Sequence, residues 1–149
     1  MSTTTASVLI DAPVAAVFAV VANTDNFLKA VPHILRIEHL NDLRDEVGSR
    51  FKETRVVAGR EAVTELEITE YVRNDHVRIV TDAGGTVWDS VFTTRAVGGR
   101  TELKLVMEAT PHTMRARMTH PLIRGFLKGA LQADMNSVKA YVEAAQSPT

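Results

Sequence analysis

WDSVFTTRAVGGRTELKLVMEA, residues 88–109, is two β-rich runs joined by Gly98-Gly99. A glycine pair of this kind tolerates the positive φ angles of a two-residue hairpin turn, so it sets the register of the runs on either side. The turn pairs Arg95 with Glu102, Thr93 with Lys104 and Val91 with Val106 on one face. On the other it pairs Thr94 with Leu103, Phe92 with Leu105, Ser90 with Met107 and Trp88 with Ala109. The second set carries the large apolar groups and is expected to face a core, and the first carries an ion pair and is expected to face water.

The preceding run yields to the same treatment. A turn at Ala58-Gly59 pairs Lys52 with Glu65 and Arg50 with Glu67, two opposite-charge pairs that a one-residue slip would lose. The opposite face then holds Phe51, Glu53 and Arg55 against Leu66, Thr64 and Ala62. Phe51 and Leu66 mark that face as internal, so a carboxylate and a guanidinium are expected to point inward. Asn74-Asp75 and Ala83-Gly84-Gly85 close two further hairpins, the second placing Val77, Ile79 and Thr81 with Trp88 and Ser90. Near Glu70 and Tyr71 two readings stand: strict alternation from Leu66 and Ile68 turns Glu70 inward, whereas a bulge turns Tyr71 inward instead.

Around this hairpin region lie helical patterns. Val8 and Ile10 alternate with Ser7 and Leu9 as a first strand. Pro13 suits the first turn of a helix, because its missing N–H has no helical partner there. Val14, Val17, Phe18 and Val21 follow on one face, Asn23-Thr24-Asp25 offers caps for a second short helix, and Pro32 ends it. Ile34 to Leu40 reads as another strand. From about Pro121, residues Ile123, Leu127, Leu131, Met135, Val138 and Val142 step by three or four, which predicts a helix with one apolar stripe. About 24 residues at ~1.5 Å each would span ~36 Å, enough to cross a small sheet. Thr113 to Met118 either forms an earlier turn of this helix, with Pro121 as a kink, or precedes it. Gly125 and Gly129, one turn apart, signal close packing, tolerated flexibility or room beside a ligand. Ser147-Pro148-Thr149 reads as a frayed tail.

Composition narrows the classes. The 149 residues, 45% hydrophobic and 23% charged, fit one soluble domain over 1–149. A net charge of -1 gives no general attraction to nucleic acid or to an anionic membrane. The chain has no cysteine, which excludes disulfides, a thiol nucleophile and thiolate metal sites. No pair among His33, His39, His76, His112 and His120 has metal-ligand spacing with a carboxylate on a recognisable helix, so no metal is expected. His39 faces inward if Leu35 and Ile37 do. Nucleophile elbow, phosphate loop and dinucleotide fingerprint are all missing, and no cofactor is expected. No signal peptide or membrane span is visible, which makes the cytoplasm the default expectation.

Several segments together resemble a known superfamily. Val8 to Phe18, with Ala12-Pro13 and Val17-Phe18, Val47-Gly48-Ser49-Arg50-Phe51, Gly98-Gly99-Arg100-Thr101 and the closing helix are similar to START-like proteins. These are also called the Bet v 1-like, SRPBCC, or polyketide cyclase/dehydrase and lipid-transport superfamily. The resemblance covers nearly the whole chain. It implies an α+β helix-grip fold: a curved antiparallel sheet of about seven strands wrapped around a long C-terminal helix, with two short helices after the first strand. It also implies a ligand cavity. Members include lipid and hydrophobe carriers, aromatic polyketide cyclases and chaperone-activating domains, so the fold alone does not select an activity.

The register therefore has to supply the candidate site. Apolar contacts are expected from Phe51, Leu66, Ile79, Trp88, Phe92, Met107, Phe126 and Leu127, with Glu53, Arg55, Thr64 and Ser90 as polar groups. The first expectation is binding or transport of a small hydrophobic ligand, whether lipid, aromatic or polyketide-like. A second is a cyclase or dehydratase with Glu53 as general base and Arg55 stabilising an enolate oxygen. A third is a protein-interaction module. Arg115, Arg117, Arg124 and Lys128, with no acid between residues 112 and 128, either form a solvated helix entrance or meet an anionic ligand or membrane surface peripherally. Outward Val80, Val87, Val91 and Val106 permit a homodimer through the sheet face.

Overall fold

The computed structural model describes residues 1–146; the Ser147-Pro148-Thr149 tail lies outside the described residues. Seven strands form one sheet: β1 (Ser2–Ile10), β2 (Ile34–His39), β3 (Arg50–Val57), β4 (Arg60–Val72), β5 (His76–Ala83), β6 (Thr86–Val97) and β7 (Arg100–Pro111). Their order is β1-β7-β6-β5-β4-β3-β2, and each neighbouring pair is antiparallel. Two short helices, α1 (Val14–Val21) and α2 (Thr24–Ala30), follow β1, and the long α3 (Met114–Gln146) closes the chain. The architecture is the α+β helix-grip arrangement, with α3 held in the concave face of a curved sheet.

The hairpin registers match the sequence reading pair for pair. Trp88 faces Ala109, Ser90 faces Met107 and Phe92 faces Leu105 across β6 and β7. Phe51 faces Leu66, Glu53 faces Thr64 and Arg55 faces Ala62 across β3 and β4. At the second turn both Ala58 (φ 51°) and Gly59 (φ 77°) are left-handed, the geometry that suits the twist of a tight hairpin but is disfavoured for the alanine. On the outer face Arg50 reaches both Glu65 (3.8 Å) and Glu67 (4.0 Å).

Two bulges adjust the alternation. In β4 the register shifts between Ile68 and Glu70, so that Thr69 is the extra residue. This selects the bulge reading: Tyr71 turns in and meets Phe18 edge-on at 5.4 Å, while Glu70 turns out opposite Arg78. In β2 the shift between Ile34 and Arg36 leaves Leu35 exposed and brings Ile37 to the inner face. His39 pairs with Phe51 and is half-buried.

The helices follow their caps. Pro13 is the residue preceding α1 rather than its first turn, in extended conformation (φ −71°, ψ 157°). Asn23 caps α2 by accepting a hydrogen bond from the Asn26 N–H at 2.9 Å. Of the two starts left open for α3, the structure selects the earlier: the helix begins at Met114 and carries Pro121 inside it. Thr113 is the reason, because its hydroxyl accepts from the Ala116 N–H at 3.1 Å and satisfies an otherwise unpaired donor. Gly85 permits this close approach, since a Cβ there would collide with the Thr113 side chain. Leu127, Leu131, Met135, Val138 and Val142 bury the inner stripe against Ile10, Val17, Val31 and Leu103. Along the edge strand β1, Gln132 and Lys139 donate to the carbonyls of Ser7 (3.1 Å) and Leu9 (2.6 Å), covering backbone acceptors that an open edge would expose.

Candidate functional site

Packing is incomplete between the inner face of β3–β7 and the first half of α3. A cavity of about 380 Å³ remains there, within the size range of small-molecule sites. The structure places the twelve residues named from the sequence around this one space: Phe51, Glu53, Arg55, Thr64, Leu66, Ile79, Trp88, Ser90, Phe92, Met107, Phe126 and Leu127 border it. They meet because alternation puts every second side chain of five neighbouring strands on one face, and α3 crosses above. Phe92 is almost wholly buried and meets Phe27 of α2 edge-on at 5.8 Å, so α2 forms one end wall. Trp88 is half-buried, and its indole N–H makes only a long contact to the Ala83 carbonyl, at 3.4 Å.

The polar end is built from three charges. Arg55 Nε donates to Glu53 Oε1 at 3.0 Å, and Arg55 Nη1 donates to Asp134 Oδ2 at 2.8 Å. Side-chain exposures of 24%, 17% and 12% for Arg55, Glu53 and Asp134 show a cluster mostly removed from water yet still reached from the cavity. Burial raises the Glu53 pKa above its ordinary value; Arg55 works against this, and Asp134 adds to it. Arg55 stays protonated: burial opposes its charge, but Glu53 and Asp134 outweigh that and raise its pKa. Burial is thus the leading influence on Glu53, whereas for Arg55 the two carboxylate partners together outweigh burial.

Asp134 is the site residue that the sequence reading missed. It lies three residues after Leu131 and four before Val138, so it occupies a position on the apolar stripe of α3. An acid at a stripe position was the available signal. Ile37, Val77 and Thr81 also border the cavity. Gly125 and Gly129 do not: both are exposed, and a Cβ at either would meet nothing within 4 Å. Neither close packing nor contact with a ligand in the cavity accounts for them.

Outside the cavity, Val80, Val87, Val91 and Val106 are half-buried on the outer face. Among the described residues there is no group of three or more potential metal ligands, and no helix is long and apolar enough to cross a membrane. His112 pairs with Asp82 (2.9 Å), His120 with Ser2 (2.7 Å), and His76 with Asp75 and Glu70.

The helix-grip fold with an apolar cavity and a charged end sets the class of architecture, and sequence comparison gives the family. Residues 1–143 match the polyketide cyclase / dehydrase and lipid transport family, and the chain belongs to it. No curated protein matches. Among solved structures the fold recurs at low identity. TTHA0849 from Thermus thermophilus superimposes with a TM-score of 0.80 at 15% identity, covering 98% of this chain and 100% of that one. The di-domain ARO/CYC BexL from the BE-7585A biosynthetic pathway gives 0.81 at 14%, over 99% of this chain and 48% of that one. A norcoclaurine synthase point mutant from Thalictrum, in complex with a transition-state analogue, gives 0.76 at 14%, over 98% and 96%.

Proposed function

We propose that this protein binds a small, mostly apolar molecule of aromatic or polyketide-like character, holding an oxygen substituent of that molecule at Arg55. The observation that carries this reading is the asymmetry of the cavity. Its walls are apolar side chains, and its charge is concentrated in the Glu53–Arg55–Asp134 cluster at one place. An apolar body supplies affinity by burial, and a few placed polar groups supply orientation. A carbonyl or phenolic oxygen would accept from the remaining N–H groups of Arg55, whose position is fixed from two sides. Phe51, Leu66, Ile79, Phe92, Met107, Phe126 and Leu127 would contact the apolar body, with Thr64, Trp88 and Ser90 offering weaker polar contacts.

Native mass spectrometry of freshly purified protein, followed by titration with naphthols and fatty acids, tests the proposal. A retained or titratable ligand is expected, and it should be lost when Ser90→Phe fills the cavity of a protein that still unfolds cooperatively. Failure of every probe, or undiminished binding in the filled variant, overturns the reading.

A second reading, acid–base catalysis of cyclisation or dehydration, is favoured by one specific feature: Glu53 has a raised pKa beside a fixed cation. A carboxyl group tuned upward exchanges protons nearer neutral pH, and Arg55 would stabilise an enolate oxygen as it forms. Members of the ARO/CYC and norcoclaurine synthase groups share the fold and make this chemistry worth assaying. Glu53→Gln would then lower turnover by ~10²–10⁴-fold with binding largely intact. Equal turnover in the variant rejects the role.

A further inference from the structure

The first half of α3 presents a second apolar surface, separate from the stripe that faces the core. Met114, Met118, Leu122 and Phe126 recur every fourth residue, and their exposures are 78%, 75%, 79% and 56%. Side chains four apart lie above one another on a helix, so these form a continuous ridge ~18 Å long. Isolated exposed apolar groups are ordinary, but an aligned set marks a surface that meets something. Gly125 and Gly129 lie within the same exposed sector, which gives both an environment that the cavity does not supply.

The charges beside the ridge indicate what it meets. Arg117, Arg124 and Lys128 are exposed and fall together on the adjoining strip of the helix, and Arg115 lies on the opposite flank. None of the four forms an ion pair among the described residues, and no carboxylate occurs from Ala109 to Ala133. A second copy of the chain packed ridge to ridge about a two-fold axis would bring these cations against their own equivalents. An anionic bilayer offers what the surface lacks: an acyl layer for the ridge and negative headgroups for the basic strip.

We infer that the Met114–Lys128 segment of α3 is a peripheral docking surface for anionic lipid bilayers. Phe126 belongs both to the ridge and to the cavity wall, so docking would set the cavity's helix-side wall against the acyl boundary, where apolar molecules partition. The inference is independent of which molecule the cavity holds.

Cosedimentation of the intact protein with vesicles of phosphatidylcholine plus phosphatidylserine, against phosphatidylcholine alone, tests it. The protein should prefer the anionic vesicles and be released by added salt. Met118→Ser with Leu122→Ser, and separately Arg117→Glu with Lys128→Glu, should each weaken binding by about tenfold or more. These positions lie outside the cavity, and thermal unfolding checks that the variants fold. If the serine variant does not fold, the charge-reversal and salt arms still decide. The inference is overturned by absence of vesicle binding, by equal binding to neutral vesicles, or by variants that bind unchanged. It is also overturned if the ridge mediates only self-association or capture of an acidic protein.

Discussion

Two arginines of the sheet, Arg55 and Arg78, lie on opposite faces, each hydrogen-bonded to two carboxylates. Inside, Arg55 joins Glu53 and Asp134 at 3.0 and 2.8 Å. Outside, Arg78 joins Glu70 at 2.8 Å and grips Asp89 through two nitrogens at 2.9 and 2.5 Å. Distances and composition are nearly the same, yet the two glutamates respond in opposite senses. Burial raises the pKa of Glu53, whereas hydrogen bonds from Arg78 and His76 lower that of Glu70, and Arg78 lowers that of Asp89. Water explains the difference. The outer cluster keeps solvent around its surplus charge; the inner one is largely withdrawn from water, which disfavours a charged Glu53. One cluster is thus a solvent-bathed ion-pair network, and the other an ion-pair network held largely out of water.

Removing the cation from each cluster should break the symmetry most strongly. Arg55→Met leaves two carboxylates in a largely dry site, and breaking a buried pair typically costs about 3–5 kcal/mol. Urea denaturation at neutral pH should show a loss of that order, partly recovered on acidification as the carboxyl groups take up protons. Arg78→Met should lose far less. Equal losses would mean that the inner cluster is as wet as the outer.

The acid limb of the stability curve sharpens the contrast, because the two glutamates predict opposite slopes. A carboxyl group raised on folding contributes most below its unfolded value of 4.5, and that contribution is lost as pH rises through its folded pKa. Wild type should therefore gain stability relative to Glu53→Gln on acidification, and the variant should match or exceed wild type at neutral pH. Glu70, lowered on folding, contributes above 4.5 and loses that contribution as pH falls through its folded pKa. Wild type should lose its advantage over Glu70→Gln in that lower window. Thermal melts of the three proteins across acid to neutral pH measure both slopes, and slopes of the same sign would refute the assignment of the two environments.

How much of this was legible beforehand depended on whether the relevant geometry is local. Gly98-Gly99 and Ala58-Gly59 each set a register, and a period of two then carried that register along whole strands, which is why Glu53 and Arg55 could be read as inward. Thr69 and the β2 shift resisted because one extra residue inverts the alternation, and no short-range signal in either strand requires it. Pro121 is a strong local breaker, so the pattern alone left the start of α3 open between Thr113–Met118 and Pro121. Asp134 was hidden for another reason. Its partner lies 79 positions away, and the rotation of α3 over β3 is a property of the assembled core rather than of either segment.

The outer network makes the two smallest predictions, and both follow from its exposure to solvent. Added salt should shrink whatever stability Arg78→Met loses, because mobile ions screen exposed charges, while leaving most of the Arg55→Met loss in place. His76 supplies the finer test. Hydrogen bonds to Asp75 and then Glu70 raise its pKa above 6.5. A histidine raised on folding stabilises fully below its unfolded value, and the contribution disappears as pH rises through the folded value. Wild type should therefore have a slight advantage over His76→Gln in mildly acid solution that fades on the alkaline side of neutrality. Because the histidine bonds to Asp75 and Glu70 and does not border the cavity, ligand retention there should not change with it. A cavity affinity that tracked His76 would join the two clusters electrically through the sheet and abolish the division between them.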